Sequence, residues 1–199
     1  EKFVTFSYKK LKFIDSMSFL SSSLEKLVEN TYEKGKGKEL FKLTRAEYVD
    51  DEQFNLLMRK GVFPYSYMDG KERFKETTLP SKEHFKNDLN ETEIKDEDYA
   101  HAQKVWKVFK CKTLADYHDV YMKSDVCLLA DVFENFRNVS MTSHRLDPIH
   151  YLSLPGYSWD CMLHHLKIEL KLLTDLDEHL FLERGIRGGV SMIAHRHAR

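Results

Sequence analysis

Cysteine is scarce: the 199 residues hold only Cys111, Cys127 and Cys161. An odd number without a short repeated spacing argues against a disulfide framework and a structural zinc site, and suits a reducing, intracellular compartment. Cys161 with His164 and His165 is at most half a zinc site, since no second pair completes it. No apolar run approaches the roughly eighteen residues of a membrane span, and no signal-peptide pattern opens the chain. Charge of one sign is lacking too, with 31 basic against 32 acidic side chains and a net charge of -1. A chain that bound nucleic acid by nonspecific electrostatics alone would be more basic. The charges are clumped, however, basic over 34–42 and acidic over 88–98, which is compatible with a local basic groove. The chain begins with Glu1 rather than Met and ends without a terminal signal, so a segment of a longer protein is expected.

What is present suits a folded core: 42% of residues are hydrophobic and 13% aromatic. Two β-rich runs, 3–7 and 11–15, predict a hairpin. Ser22 and Ser23 can cap a short helix carrying Leu24, Leu27 and Val28 on one face. Residues 34–38, Lys-Gly-Lys-Gly-Lys, form a basic loop without the glycine spacing of a phosphate cradle. Thr44 precedes a short segment that ends near Arg59, with Lys60-Gly61 as its glycine stop. An aromatic loop follows over 61–70, then a polar stretch with a short helix after Pro80 and Ser81. Asp96 is expected to cap a second helix running through Trp106 and Phe109. Thr113 and Asp116 form a capping box for a long helix over 114–137. Further helices are expected from Pro155-Gly156 through Leu166 and from Thr174 to Gly185. Residues 190–195 alternate as a weak strand, in which His195 and His197 share a face.

The long helix carries the chemical anomaly. At about 100° per residue, Tyr117, Tyr121, Asp125, Leu128, Val132 and Phe136 fall on one stripe. Five are apolar or aromatic and the sixth is a carboxylate. A carboxylate facing a core must be hydrogen-bonded, ion-paired or bound to metal, because burial of an isolated charge costs several kcal/mol. Tyr121 and Asp125, four residues apart, reach the same space. Either the tyrosine or a backbone group satisfies Asp125 inside the core, or Asp125 holds a divalent metal while Tyr121 orients a water. Phosphodiester hydrolysis by two metals uses carboxylates of this kind.

The run from Asp116 to Phe136, Asp-Tyr-His-Asp-Val-Tyr-Met-Lys-Ser-Asp-Val-Cys-Leu-Leu-Ala-Asp-Val-Phe-Glu-Asn-Phe, resembles the third exonuclease motif of B-family DNA polymerases. It is most similar to the protein-primed branch found in organelles, viruses and Maverick-type transposons. The resemblance implies that Tyr121 and Asp125 serve a 3′→5′ proofreading site, with Asp125 on Mg²⁺ or Mn²⁺. Three further segments resemble family motifs in the family's order. Residues 13–20 resemble the Ser-Leu-x-x-hydrophobic motif that handles single-stranded DNA and the terminal protein, with Ser16 and Leu20 matching and Met17 in place of Leu. Lys60-Gly-Val-Phe63 resembles the Lys-x-x-hydrophobic motif, whose lysine assists the exonuclease reaction, and Tyr65 sits where the family has an aromatic contact to the DNA end. Ile186-Arg187-Gly188-Gly189 resembles the Tyr-x-Gly-Gly motif of the junction, with Ile186 where the family has Tyr; its glycines and Arg187 would meet template phosphates.

The resemblance implies an α/β or α+β fold of ribonuclease-H-like exonuclease type. Residues 1–145 would be the C-terminal part of the exonuclease domain, with an insertion at about 66–98, and 146–199 a linker and the start of the polymerase domain. The Asp-x-Glu and Asn-containing exonuclease motifs should precede residue 1 and the polymerase motifs follow residue 199; no Asp-Thr-Asp occurs in the chain. This segment alone is therefore expected to be inactive or nearly so. The parent would act on DNA and deoxynucleotides, prime from a terminal protein, and reside in a nucleus, virion or organelle rather than outside the cell or in a membrane. One alternative is a transposon-derived DNA-binding or interaction module without catalysis, and a second is an unrelated helical interaction protein whose motif matches are chance. Each short motif read alone is equally compatible with a strand end, a helix stop, a packed aromatic loop or a Gly-Gly turn.

Overall fold

A computed structural model describes residues 5–32, 37–86, 93–186 and 188. The chain divides into two compact units, 1–161 and 162–199. The first opens on an antiparallel hairpin, β1 (Thr5–Tyr8) and β2 (Leu11–Ile14), with Phe6 opposite Phe13. Lys9, in the left-handed region at φ 54°, makes the turn. α1 (Leu24–Thr31) follows, capped by the Ser23 hydroxyl, which accepts from the Lys26 N–H. The single segment expected from Thr44 to Arg59 is two helices, α2 (Lys42–Glu47) and α3 (Asp51–Leu57). Asp50 breaks the run: its carboxylate accepts from the Gln53 N–H at 2.9 Å and starts α3 afresh. α4 (Asp96–Val108) begins after Lys95, with Asp96, Glu97 and Asp98 together in a first turn where the helix dipole favours negative charge.

α5 (Leu114–His144) organises the unit. Its 31 residues extend about 46 Å at 1.5 Å per residue. The expected capping box is present: the Thr113 hydroxyl accepts from the Asp116 N–H, and the Asp116 carboxylate accepts from the Thr113 N–H. The helix outruns the expected end at 137 and stops at Arg145, which is left-handed at φ 57°. Three apolar clusters are strung along it. Leu114 and Tyr117 pack with Leu56, Phe85, Ala102 and Val105; Leu128 and Val132 with Val28, Phe41 and Phe54; Phe133 and Phe136 with Phe19, Tyr157 and Cys161. At about 1.5–3 kcal/mol for each large side chain removed from water, these clusters hold the short elements against the long one.

The polar stretch read as an insertion contributes to this core. Phe85 is buried, Leu79 and Ile94 pack against it, and the Glu76 carbonyl accepts from the Leu114 N–H at 2.8 Å. Arg73 fastens the preceding loop, donating to Asp69, Glu76 and the Tyr67 hydroxyl.

α6 spans Leu154–Leu166, and the two units divide after Cys161. In the second unit, Lys167 at φ 55° ends α6 while the Ile168 N–H reaches back to the Leu163 carbonyl at 3.3 Å. α7 (Leu176–Gly185) is capped by Asp175, one residue after the expected Thr174, because the Asp175 carboxylate is the group that accepts from the Glu178 N–H at 3.0 Å. The described residues are thus helix-rich with one two-stranded sheet. None of their helices is long and apolar enough to cross a membrane. The expected strand at 190–195, with His195 and His197, lies outside the described residues.

Candidate functional site

Sixty residues of sequence separate Lys60 from Tyr121, and an aromatic seam closes the gap. Tyr117 and Tyr121 stand one turn apart on α5, and residues 61–65 lie along them. The Tyr117 hydroxyl donates to the Val62 carbonyl at 2.5 Å. The Phe63 ring stacks on both tyrosines, with centroids 6.2 Å from Tyr117 and 5.1 Å from Tyr121. The Tyr65 hydroxyl meets the Tyr121 hydroxyl at 2.5 Å. The seam leaves Lys60 beside the next residue of the stripe, so that Lys60, Tyr121 and Asp125 line one cavity of about 100 Å³.

Gly61 is what lets the loop approach so closely. A Cβ there would stand 2.6 Å and 2.7 Å from Cδ2 and Cε2 of Tyr121, well inside contact distance. Its φ is not positive, so Gly61 acts by its lack of side chain and not as the expected helix stop; α3 has already ended at Leu57. Gly61→Ala is therefore expected to lower stability by roughly 1–3 kcal/mol, the usual cost of overpacking. Gly70→Ala, in extended backbone with nothing within 4 Å, should leave the urea midpoint unchanged. Equal midpoints for both variants would refute the close approach.

The electrostatics follow from partial burial. Asp125 is held above the usual carboxylate range by desolvation, opposed by a hydrogen bond from Tyr121 and by the nearby Lys60 ammonium. Burial likewise raises the Tyr121 hydroxyl far above its ordinary value, with Tyr65 and Asp125 adding to the effect, so it stays protonated at neutral pH. Tyr121 thus contacts Tyr65 closely and Asp125 more loosely. The arrangement offers one oxygen ligand suited to a hard divalent cation, one fixed positive charge and one neutral hydroxyl. Asp125 fits Mg²⁺ or Mn²⁺ as one carboxylate of a set, since Mg²⁺ takes one or two carboxylates and fills its remaining positions with water and phosphate oxygens. Among the described residues no three metal-ligating side chains gather, here or at Cys161.

Comparison with protein families, curated proteins and solved structures found no match for the chain.

The remaining expected site residues are dispersed. Ser16 and Met17 sit in a single 3₁₀ turn, Ser16–Ser18, after β2. Met17 is 58% exposed, whereas Leu20 is turned partly into two of the apolar clusters. None of the three lines a cavity with Asp125; Ser23 and Leu24, at the start of α1, do so instead. Tyr65 is exposed and in place on the seam. Gly188 belongs to the second unit and has open space around it, and Arg187 and Gly189 lie outside the described residues.

Asp131 was also missed. It is only 3% exposed, and its carboxylate accepts from the Leu43 N–H, the Thr44 N–H and the Thr44 hydroxyl at 2.9, 2.8 and 2.7 Å. Thr44 is accordingly a buried partner inside α2 and not the start of a helix. This carboxylate is fully used in joining α2 to α5. Asp125 has no comparable set of donors.

Proposed function

We propose that this chain is part of the 3′→5′ proofreading exonuclease of a protein-primed B-family DNA polymerase, together with the start of its junction to the polymerase domain. The observation that carries this reading is the convergence of Lys60, Tyr121 and Asp125 on one cavity across sixty residues of sequence. In this reading Asp125 is one of the carboxylates that hold Mg²⁺ or Mn²⁺. The cation, when bound, supplies charge stabilisation and water activation for phosphodiester hydrolysis. The Tyr121 hydroxyl, protonated and held by Tyr65, orients the attacking water by hydrogen bonding and does not act as a base. Lys60 offsets negative charge that develops on the scissile phosphate. Ser16, Met17 and Leu20 contact the single strand, and Ser23 and Leu24, on the cavity wall, are further contacts to it. Tyr65 meets the DNA end, and Arg187, Gly188 and Gly189 face the template. The ribonuclease-H-like fold is completed by strands and carboxylates that precede this segment. A priming protein and deoxynucleotides are partners of the whole polymerase.

The test uses the longer polypeptide that carries the first and second exonuclease motifs, with a 3′-end-labelled single strand and Mg²⁺. Wild type should release labelled mononucleotides. Lys60→Ala, with an unchanged circular dichroism spectrum, should lower the rate by on the order of a hundredfold. An active wild type that ignores this change would refute the site. A polypeptide that binds the strand without cutting it would favour the non-catalytic module.

A further inference from the structure

A second, larger cavity of about 550 Å³ shares Glu25, Arg59, Lys60 and Tyr121 with the small one and continues away from Asp125. One side is aromatic: Phe63, Tyr65 and Tyr121, already fixed by the seam, present ring faces and edges. The lining also takes Phe85, Lys86, Ile94 and Lys95 from the stretch between the two motifs. Arg59 is paired with Asp98. Lys60, Lys86 and Lys95 line this space with the carboxylates of Glu25 and Asp98, and among the described residues none of the three lysines is in an ion pair. The volume lies within the range of small-ligand pockets. Aromatic rings and cationic side chains lining one space are the combination that holds a base and its phosphates in single-stranded nucleic acid.

We propose that this cavity seats a nucleotide of the single strand next to the scissile end, with its base on the Phe63–Tyr65 wall and its phosphates on Lys86 and Lys95. The proposal rests on the proofreading reading and extends it. The stretch between the Lys60 and Tyr121 motifs becomes a strand-positioning wall, and Lys86 and Lys95 become positioning residues that do not take part in cleavage. Because the two cavities share Lys60 and Tyr121, a strand lying in the large one would lie beside residues that also line the Asp125 cavity.

The experiment measures fluorescence anisotropy of a 5′-labelled oligothymidylate in EDTA, where binding proceeds without cleavage. Wild type is compared with Lys86→Gln/Lys95→Gln across a salt series. Each single-strand phosphate contact adds about 0.7 to the slope of log affinity against log salt. The double variant should therefore lose about 1.4 from that slope and bind on the order of tenfold more weakly at low salt. Its cleavage rate at saturating strand should match wild type while its KM rises. Unchanged affinity and slope, with cleavage still dependent on Lys60, would overturn the cavity assignment and leave the proofreading site standing. Failure of wild type to bind the strand at all would overturn both. Thymidine monophosphate competing as well as the strand would overturn the seat on a strand in favour of a mononucleotide pocket.

Discussion

Asp125→Asn is expected to abolish cleavage, by a hundredfold or more in rate, while raising the melting temperature at neutral pH. The two effects share one cause. Partial burial disfavours the ionised carboxylate of Asp125, and neither the Tyr121 hydroxyl nor the Lys60 ammonium compensates fully. A carboxyl whose folded pKa lies above its unfolded value binds its proton more tightly in the native state. Native stability is then greatest below the ordinary carboxylate range and falls as pH rises through that range to the folded pKa. Asparagine keeps the shape and the hydrogen-bonding partner without the charge. The variant should therefore be more stable than wild type at neutral pH, and the gap should close as wild type is protonated, in melts from about pH 8 to about pH 3. A structural carboxylate behaves in the opposite way. If Asn at 125 lowered the melting temperature at neutral pH, Asp125 would be a core acceptor like Asp131, and the case for a metal ligand would fall with it.

What could be read from the sequence divides along the distance between interacting residues. The long helix was legible because its start is local chemistry: Thr113 and Asp116 satisfy each other's N–H groups three residues apart. The stripe of Tyr117, Tyr121 and Leu128 was legible because a helix repeats, and Tyr117 and Leu128 are buried as the spacing implied. The gathering of Lys60 with Asp125 came from a resemblance, since no pattern in the residues themselves links two positions sixty-five apart. The loop from 61 to 65 carries that link through a carbonyl, two stacked rings and one missing Cβ. Each of these depends on where α5 lies and cannot be inferred from nearby sequence. The same limit hid the stretch 66–98. Its composition reads as polar, yet Leu79, Phe85 and Ile94 pack in the core, and Phe85 and Ile94 also line the large cavity.

Asp131→Ala is expected to destabilise the first unit by on the order of 3 kcal/mol or more. Asp131 sits just off the stripe that singled out Asp125, about 40° beyond Tyr117 at 100° per residue. Its carboxylate meets the first N–H groups of α2, which no carbonyl within that helix can satisfy. It therefore caps α2 from 88 residues away, and the Thr44 hydroxyl supplies a third donor to the same group. Bonds at 2.7–2.9 Å to a carboxylate are short for neutral donors. Alanine would leave three donors without this acceptor, the N–H and hydroxyl of fully buried Thr44 among them. Asn keeps one acceptor oxygen, so Asp131→Asn should lose only part of that stability, and Thr44→Val less again because the two backbone donors keep their acceptor. The urea midpoints should fall in the order wild type, Thr44→Val, Asp131→Asn, Asp131→Ala. An Asp131→Ala protein with a wild-type midpoint would mean that α2 is held by Phe41 and its apolar neighbours alone.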